Sequence, residues 1–372
     1  MKVCAIVAEY NPFHNGHAYL INELKKQKDI DCFIAIMSGN FVERGESAII
    51  NKWERSKWAI SNGIDVVIEL PYIYATQSST YFAKGAIEIC KLANVDYIGF
   101  GSECANLDNL KEIATTPINP DHLHTALDSG MSYPKAYQLL TSEMYPNDIL
   151  AVAYLKELEG SNIEPLLVAR TNNYNGEEIN DISSALAIRK ALKENKDISN
   201  TTVMYKTLMD NELAYPEMYY PYLRTLLLTT PREQLQDIFM VSEGIEKLMI
   251  DNAKICETYE EFINACTSYR YTASRIRRIT LQIMNHITKE EVNKLSKMDT
   301  IRVLAFNDTG KTWLHSKRKE DIKIASKFSR VPKMWRDIEY RTSLLYTSVL
   351  SKENRQKIMD LEIGGALYIK KD

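Results

Sequence analysis

His14 and His17 stand three residues apart, with Gly16 between them, in the segment Ala8-Glu9-Tyr10-Asn11-Pro12-Phe13-His14-Asn15-Gly16-His17. The segment follows an apolar run, Val3 to Ala8, and opens a helical pattern from about His17 to Lys26. Unpaired N–H groups and a partial positive charge at a helix N-terminus suit a phosphate. On a first helical turn, side chains three apart point the same way, so both imidazoles would face one ligand. Gly16 removes a side chain where a flat ring could approach the backbone. Together these features make a site for a triphosphate with an adenine nearby. A His-x-x-His pair can also be purely structural or part of a metal site. A zinc site asks for at least a third protein ligand; none is evident nearby, so no metal site is assigned. His122 and His124 are spaced for alternation in an extended segment and are read as surface residues.

A second constellation is Ile182-Ser183-Ser184-Ala185-Leu186-Ala187-Ile188-Arg189. Ser183 or Ser184 can cap a helix over 184–193 and contact phosphate, and Arg189 can reach back with a planar fork. The alternative for Arg189 is a solvated helix face.

Something must hold these residues together. Val3 to Ala8, Cys32 to Met37, Asp65 to Leu70, Tyr97 to Phe100 and Leu166 to Arg170 are short apolar runs that read as strands. The helical patterns Lys52 to Ser61 and Ser79 to Leu92 fall between them. Buried apolar strands alternating with helices predict a parallel sheet covered on both faces. Ligands in such sheets bind beyond the carboxyl ends of the strands. The unusual segments sit at those ends: Glu9 to His17, Ser38 to Glu46, Pro71 to Ser79 and Gly101 to Glu103. A polar loop, Thr171 to Asp181, follows the fifth strand. After about Asn195 the pattern turns mainly helical, through Val203 to Leu213, Arg232 to Ile238, Ile245 to Ala253 and Thr272 to Ile287, interrupted by the apolar run Ile301 to Phe306. The expectation is an α/β catalytic domain over 1–196 and a mainly helical domain over 197–372.

His14-Asn15-Gly16-His17 resembles the His-x-Gly-His signature of the nucleotidyltransferase superfamily, which includes class I aminoacyl-tRNA synthetases. The serine–arginine helix resembles that superfamily's second motif. The closer resemblance, over most of the chain, is to the bacterial tRNA(Met) cytidine acetate ligase family. It rests also on Met37-Ser38-Gly39-Asn40-Phe41, Arg44-Gly45-Glu46, Asp65 to Pro71, Phe100-Gly101-Ser102-Glu103 and Pro146-Asn147-Asp148-Ile149-Leu150. The sequence departs from the family pattern at Glu43, Ser47, Asp148 and Leu186, where Gln, Pro, Asn and Thr are expected. The resemblance implies a Rossmann-like nucleotidyltransferase domain. It implies an ATP site formed by Val7, Ala8 and the turn residues Glu9, Tyr10, Asn11, Pro12, Phe13, His14, Asn15, Gly16 and His17. Gly101, Asn147, Arg170, Ser184 and Arg189 complete that site. His14, His17 and Arg189 would be catalytic, with Gly16 on the adenine side and Arg170 and Arg189 as phosphate clamps. It further implies that acetate is activated as acetyl-adenylate and passed to the N4 amine of the wobble cytidine of elongator tRNA(Met). ATP is then a substrate, and magnesium accompanies it. A small-molecule adenylyltransferase and a non-catalytic RNA- or nucleotide-binding protein are the alternatives.

Arg270, Arg275, Arg277 and Arg278 cluster with no acid between them, and Arg302 to Arg341 carries 11 Lys and Arg against 5 Asp and Glu. Trp313, Phe328 and Trp335 lie among the latter charges. Cationic groups neutralise a nucleic-acid backbone and exposed aromatics stack bases. With tRNA implied as substrate, the arginine cluster is assigned to it; by charge alone, a solvated surface over core aromatics is the simpler reading. The net charge of −3 over 372 residues does not by itself advertise a nucleic-acid binder. Charged and apolar fractions of 26% and 45% are those of an ordinary globular protein. No stretch approaches the roughly 18 apolar residues of a membrane span, and no signal peptide is read at the N-terminus. The six cysteines form no C-x-x-C pair and read as reduced core residues of a cytoplasmic protein. Leu295-Ser296-Lys297-Met298, faintly like the second signature of class I synthetases, is set aside. Oligomeric state is not readable.

Overall fold

Five of the apolar runs become adjacent parallel strands joined by helical connections; the first four are almost wholly buried, and the fifth, at the edge, buries only part of its length. They are β1 (Val3–Ala8), β2 (Cys32–Ser38), β3 (Val66–Leu70), β4 (Tyr97–Ser102) and β5 (Glu164–Ala169), in the spatial order β5-β4-β1-β2-β3. Every residue of β2, the middle of the full sheet, is buried. The register pairs Ala8 with Met37, Ser38 with Leu70 and Ser102 with Ala169. The segments after β1, β2, β3, β4 and β5 therefore emerge along one edge. Glu9 to His14, Gly39 to Asn51 and Arg170 thus come from separate parts of the sequence to one place. The computed structural model describes residues 1–117, 119–131, 136, 144–170, 183–320 and 322–370. The expected polar loop, 171–181, and Ile182 lie outside the described residues.

The sheet does not end at residue 196. Ile301–Phe306 is β6 and pairs antiparallel with β3, with a register shift at Val67/Ile68. β7 (Ile324–Ala325) and β8 (Leu367–Tyr368) lie parallel to β6. The expected boundary at Lys196/Asp197 is therefore no edge of the sheet. The C-terminal segment from Ile301 onward returns to cover β3, which would otherwise leave a row of unpaired backbone groups. The junction is tight. Asn307 Nδ2 donates to Asp65 Oδ1 at 2.8 Å, and a Cβ on Gly310 would lie 2.1 Å from the Asp65 carbonyl oxygen. A separate apolar cluster, built on Leu223, Met249, Phe262 and Ile279, occupies the helices Tyr220–Thr229, Ile245–Ile255, Tyr259–Cys266 and Ala273–Met284. The mainly helical body is thus shorter than 197–372.

Three local expectations are corrected. His122 and His124 lie on a helix, Pro120–Asp128, and not on an extended segment. The helical pattern Val203 to Leu213 shrinks to Tyr205–Asp210. Trp313, Phe328 and Trp335 are buried core residues, so none is a base-stacking platform. Their apolar area is what packs the returning segment against the sheet. All six cysteines are free thiols; five are buried, and Cys104 is exposed. Among the described residues no helix is long and apolar enough to cross a membrane.

Behind the sheet edge lies a charge network whose members are all buried. Lys52 Nζ sits 2.5 Å from Glu69 Oε1 and 2.8 Å from Glu362 Oε2. Arg302 Nη1 sits 2.7 Å from Glu69 Oε2 and 2.8 Å from Glu362 Oε1. A carboxyl oxygen of a third buried acid, Glu339, accepts the Tyr72 N–H at 2.7 Å. The network joins the Lys52–Ser61 helix, β3, β6 and the helices Lys333–Thr347 and Lys352–Ile363.

Candidate active site

His14 is the N-cap of the Asn15–Gln27 helix, and its Nδ1 accepts the Gly16 N–H at 3.1 Å. His17 Nδ1 accepts the His14 N–H at 3.1 Å. Each imidazole therefore spends its lone pair on the backbone, which places its proton on Nε2. The rings lie 3.8 Å apart at 34°. Burial, then the Arg170 and Arg189 charges, push the His14 pKa down to about 3. Burial, then His14 and Arg170, hold His17 well below the ordinary imidazole range. Both rings are neutral at physiological pH, so the turn presents two fixed N–H donors rather than two cations.

The turn leading to them is held from three sides. Tyr10 takes a left-handed backbone conformation (φ 48°), which is costly for a residue with a Cβ. Its ring packs at 4.9 Å on both Phe13 and His17. Asn11 Oδ1 accepts the Ile49 N–H at 2.8 Å, and its carbonyl accepts Arg189 Nη1 at 2.9 Å. Arg55, wholly buried, donates to the carbonyls of Glu9, Ser38, Gly39 and Ile50. It thereby ties the ends of β1 and β2 together. Burial lowers its pKa to about 10, so it stays charged at neutral pH. Sequence reasoning passed over Arg55. The available signal was an arginine one turn before Ala59, on the face of the helix that also buries Ser56 and Ile60.

These elements border a cleft of about 460 Å³, within the range of about 300–1,000 Å³ usual for small-molecule sites. Val7, Ala8, Glu9, Tyr10 and Asn11 reach it from β1 and the turn, with His14 and His17 beyond them. Gly101, Asn147, Arg170, Ser184 and Arg189 reach it from elsewhere. Phe82, Phe100 and Tyr154 give it an apolar wall. A side cavity of about 60 Å³ continues past Gly16, Ser183 and Arg170. Arg170 lies across Gly101, where a Cβ would meet its Cγ at 3.2 Å. Glu103 links Arg170 Nε, 3.6 Å away, to the Asn147 amide at 2.5 Å. Ser184 caps its helix by accepting the Ala187 N–H at 3.1 Å. Three residues of the expected ATP turn stand apart from the cleft. Pro12 and Phe13 are buried behind it, and Asn15 donates to the Asn200 carbonyl at 2.8 Å.

The departures from the family pattern acquire local roles. Ser47 Oγ donates to the Ala214 carbonyl at 2.9 Å. Asp148 Oδ1 accepts Ser102 Oγ at 2.5 Å and the Glu103 N–H at 3.1 Å, closing the loop after β4. Leu186 adds an exposed apolar side chain to the cleft rim. Glu43 pairs with Arg278 at 3.2 Å. That pair divides the arginine cluster. Arg278 is buried and forms part of the cleft wall with Thr272 and Ser274. Arg277 pairs with Glu46, which also faces Arg189 at 3.5 Å. Arg270 and Arg275 share Glu243 at the surface, at 3.0 and 3.9 Å. Gly45 makes this junction possible. It has φ 78°, and a Cβ on it would come 2.4 Å from the Arg278 backbone nitrogen.

The assignment of the cluster to tRNA narrows accordingly. The Arg270→Ala/Arg275→Ala double variant is expected to bind tRNA more weakly, with a log–log salt slope shallower by about two units. Arg278→Ala is expected to lower ATP affinity and leave that slope in place. Titrations with tRNA at several salt concentrations decide it; an unchanged affinity and slope in the double variant would place the RNA face elsewhere.

The profile of the HIGH Nucleotidyl Transferase family matches residues 1–360. A tRNA(Met) cytidine acetate ligase of Acetivibrio thermocellus is 37% identical over 371 residues, covering 88% of this chain and 89% of the relative. The tRNA(Met) cytidine acetate ligase of Bacillus subtilis is 31% identical over 402 residues, covering 98% and 97%. The crystal structure of Thermotoga maritima TmcAL bound with alpha-thio ATP superposes with a TM-score of 0.87 at 28% identity, covering 100% of both chains. The apo form of the same protein superposes with a TM-score of 0.88.

Proposed function

The chain belongs to the tRNA(Met) cytidine acetate ligase family of HIGH nucleotidyl transferases, and from that premise we propose how its cleft performs the ligase reaction. Acetate attacks the α-phosphorus of ATP, giving acetyl-adenylate and pyrophosphate. The N4 amine of the wobble cytidine of elongator tRNA(Met) then attacks the acyl carbon and AMP leaves. Transfer at phosphorus asks the protein for positioning and charge stabilisation. His14 and His17 offer two neutral Nε2–H donors to the phosphate chain, and Arg170 and Arg189 offer charge. The backbone at Gly16 leaves room for the flat base.

The observation that carries this reading is the convergence of both histidines, Arg170, Ser184 and Arg189 on one nucleotide-sized cleft at the strand ends. Among the described residues, no three His, Cys, Asp or Glu side chains are placed to hold a metal ion. Magnesium, entering with ATP, would supply further positive charge to the triphosphate beside Arg170 and Arg189. Arg270 and Arg275 contact the tRNA backbone.

Purified protein with ATP, magnesium, acetate and elongator tRNA(Met) is expected to yield acetylated cytidine with one AMP per acetyl group. Free acetate is a poor acyl donor because its leaving group would be oxide, whereas AMP departs readily. A thioester donor would need no α-phosphate chemistry. Efficient acetylation with acetyl-coenzyme A in place of ATP and acetate would overturn the mechanism.

A further inference from the structure

The mechanism above leaves one proton without a destination. The cytidine N4 lone pair is delocalised into the ring, so the amine is a weak nucleophile. Once it has bonded to the acyl carbon its N–H becomes acidic, and it must lose a proton before AMP departs. Otherwise the intermediate returns the amine instead.

Most groups in the cleft cannot take that proton. The two imidazoles have no free lone pair, since both Nδ1 atoms accept backbone N–H groups. Among the described residues, two carboxylates line the cleft, Glu9 and Glu43. Glu43 is committed to its ion pair with Arg278 at 3.2 Å. Glu9 is held differently. Its Oε1 accepts the Glu43 N–H at 2.9 Å, and among the described residues its Oε2 meets no hydrogen-bond or ion-pair partner. Glu9 directly follows β1, and His14, the N-cap of the next helix, lies five residues later. The carboxylate and the two phosphate-facing donors therefore border the same cleft.

We propose that Glu9 is the general base of acetyl transfer: Oε2 accepts the proton of the attacking N4 amine as the N–C bond forms and the C–O bond to AMP breaks. The leaving electron pair goes with AMP, and Glu9 afterwards returns its proton to water. The proposal rests on the ligase reading above.

The surroundings of Glu9 suit the task. Burial raises its pKa, and the neighbouring Glu43 carboxylate adds to that. The Glu43 N–H and the charges of Arg189 and Arg44 pull the other way, leaving it above the ordinary carboxylate range. A base whose pKa is drawn toward neutrality removes a proton more effectively while remaining ionised enough to act.

The test separates the two half-reactions. Acetate-dependent ATP–pyrophosphate exchange reports activation; single-turnover transfer from preformed acetyl-adenylate to elongator tRNA(Met) reports the second step. Wild-type exchange is measured first, and its absence would overturn the ligase reading itself. Glu9→Gln keeps the size of the side chain. It is expected to lower transfer by about 10²-fold at neutral pH, at least about tenfold more than it lowers exchange, and to abolish the decline of transfer on the acid side. Glu9→Asp should retain that decline at a lower rate. An equal loss in both half-reactions, or Glu9→Gln transfer with wild-type rate and pH profile, overturns the proposal. The wild-type profile decides alone if the variants do not fold: transfer independent of pH between about 5 and 8 excludes a carboxylate base with a raised pKa.

Discussion

Replacing either His14 or His17 by alanine is expected to lower acetate-dependent pyrophosphate exchange by about 10²–10³, the usual effect of deleting one donor to developing charge. The loss should far exceed any loss of tRNA affinity, because both rings face the cleft floor. Each substitution also frees a backbone N–H, since His14 Nδ1 and His17 Nδ1 are the acceptors that close this helix start. Exchange rates near wild type in both variants would remove the histidines from the mechanism. The neutral state of the pair has a further consequence. His14 titrates at about 3 in the folded protein, against about 6.5 for an unfolded chain. Between those values the unfolded state binds more protons, so the pair's contribution to stability is complete above about pH 6.5 and is lost as the pH falls.

The second large effect is one of stability. Arg302→Met is expected to cost about 3–5 kcal/mol, because it leaves Glu69 and Glu362 buried with Lys52 as their single cation. Denaturant unfolding measures it directly; a loss under about 1 kcal/mol would show that the network relaxes or admits water. Glu339 behaves in the opposite sense to Arg302. Burial, and then the Glu69 charge, raise its pKa to about 8. The folded state therefore holds a proton that the unfolded chain releases near pH 4.3. Stability from this group is fully present below that pH and declines as the pH rises toward about 8. Glu339→Gln mimics the protonated acid and should flatten the decline while costing little near neutrality.

The first five strands and the capped turn could be read from the sequence because their signals are local. A short apolar run between helices has few other uses, and Ser184 before an apolar helix marks its own cap. The pairing of Ile301–Phe306 with β3 was not readable. An apolar hexapeptide looks the same whichever strand it joins, and the deciding contacts lie far away in the chain. The same limit explains Arg278. Its neighbours in sequence are arginines, and the carboxylate that turns it inward is Glu43, on the loop after β2. Trp313 and Trp335 sat among lysines and arginines most of which point outward while the rings point in, a separation of faces that a charge count over a window averages away.

The late arrival of β6 bears on how the polypeptide survives its own synthesis. Roughly 230 residues separate Leu70 from Ile301, so at the rates typical of ribosomes, about 5–20 residues per second, β3 waits on the order of 10–50 s for its outer partner. Throughout that interval a nearly finished sheet carries a hydrophobic, sticky margin able to recruit strands from neighbouring nascent chains. The long-range closure also predisposes the protein to slow maturation. Chaperone demand in the cell would then be set by the outer edge of the sheet, on the far side of β2 and β3 from β5.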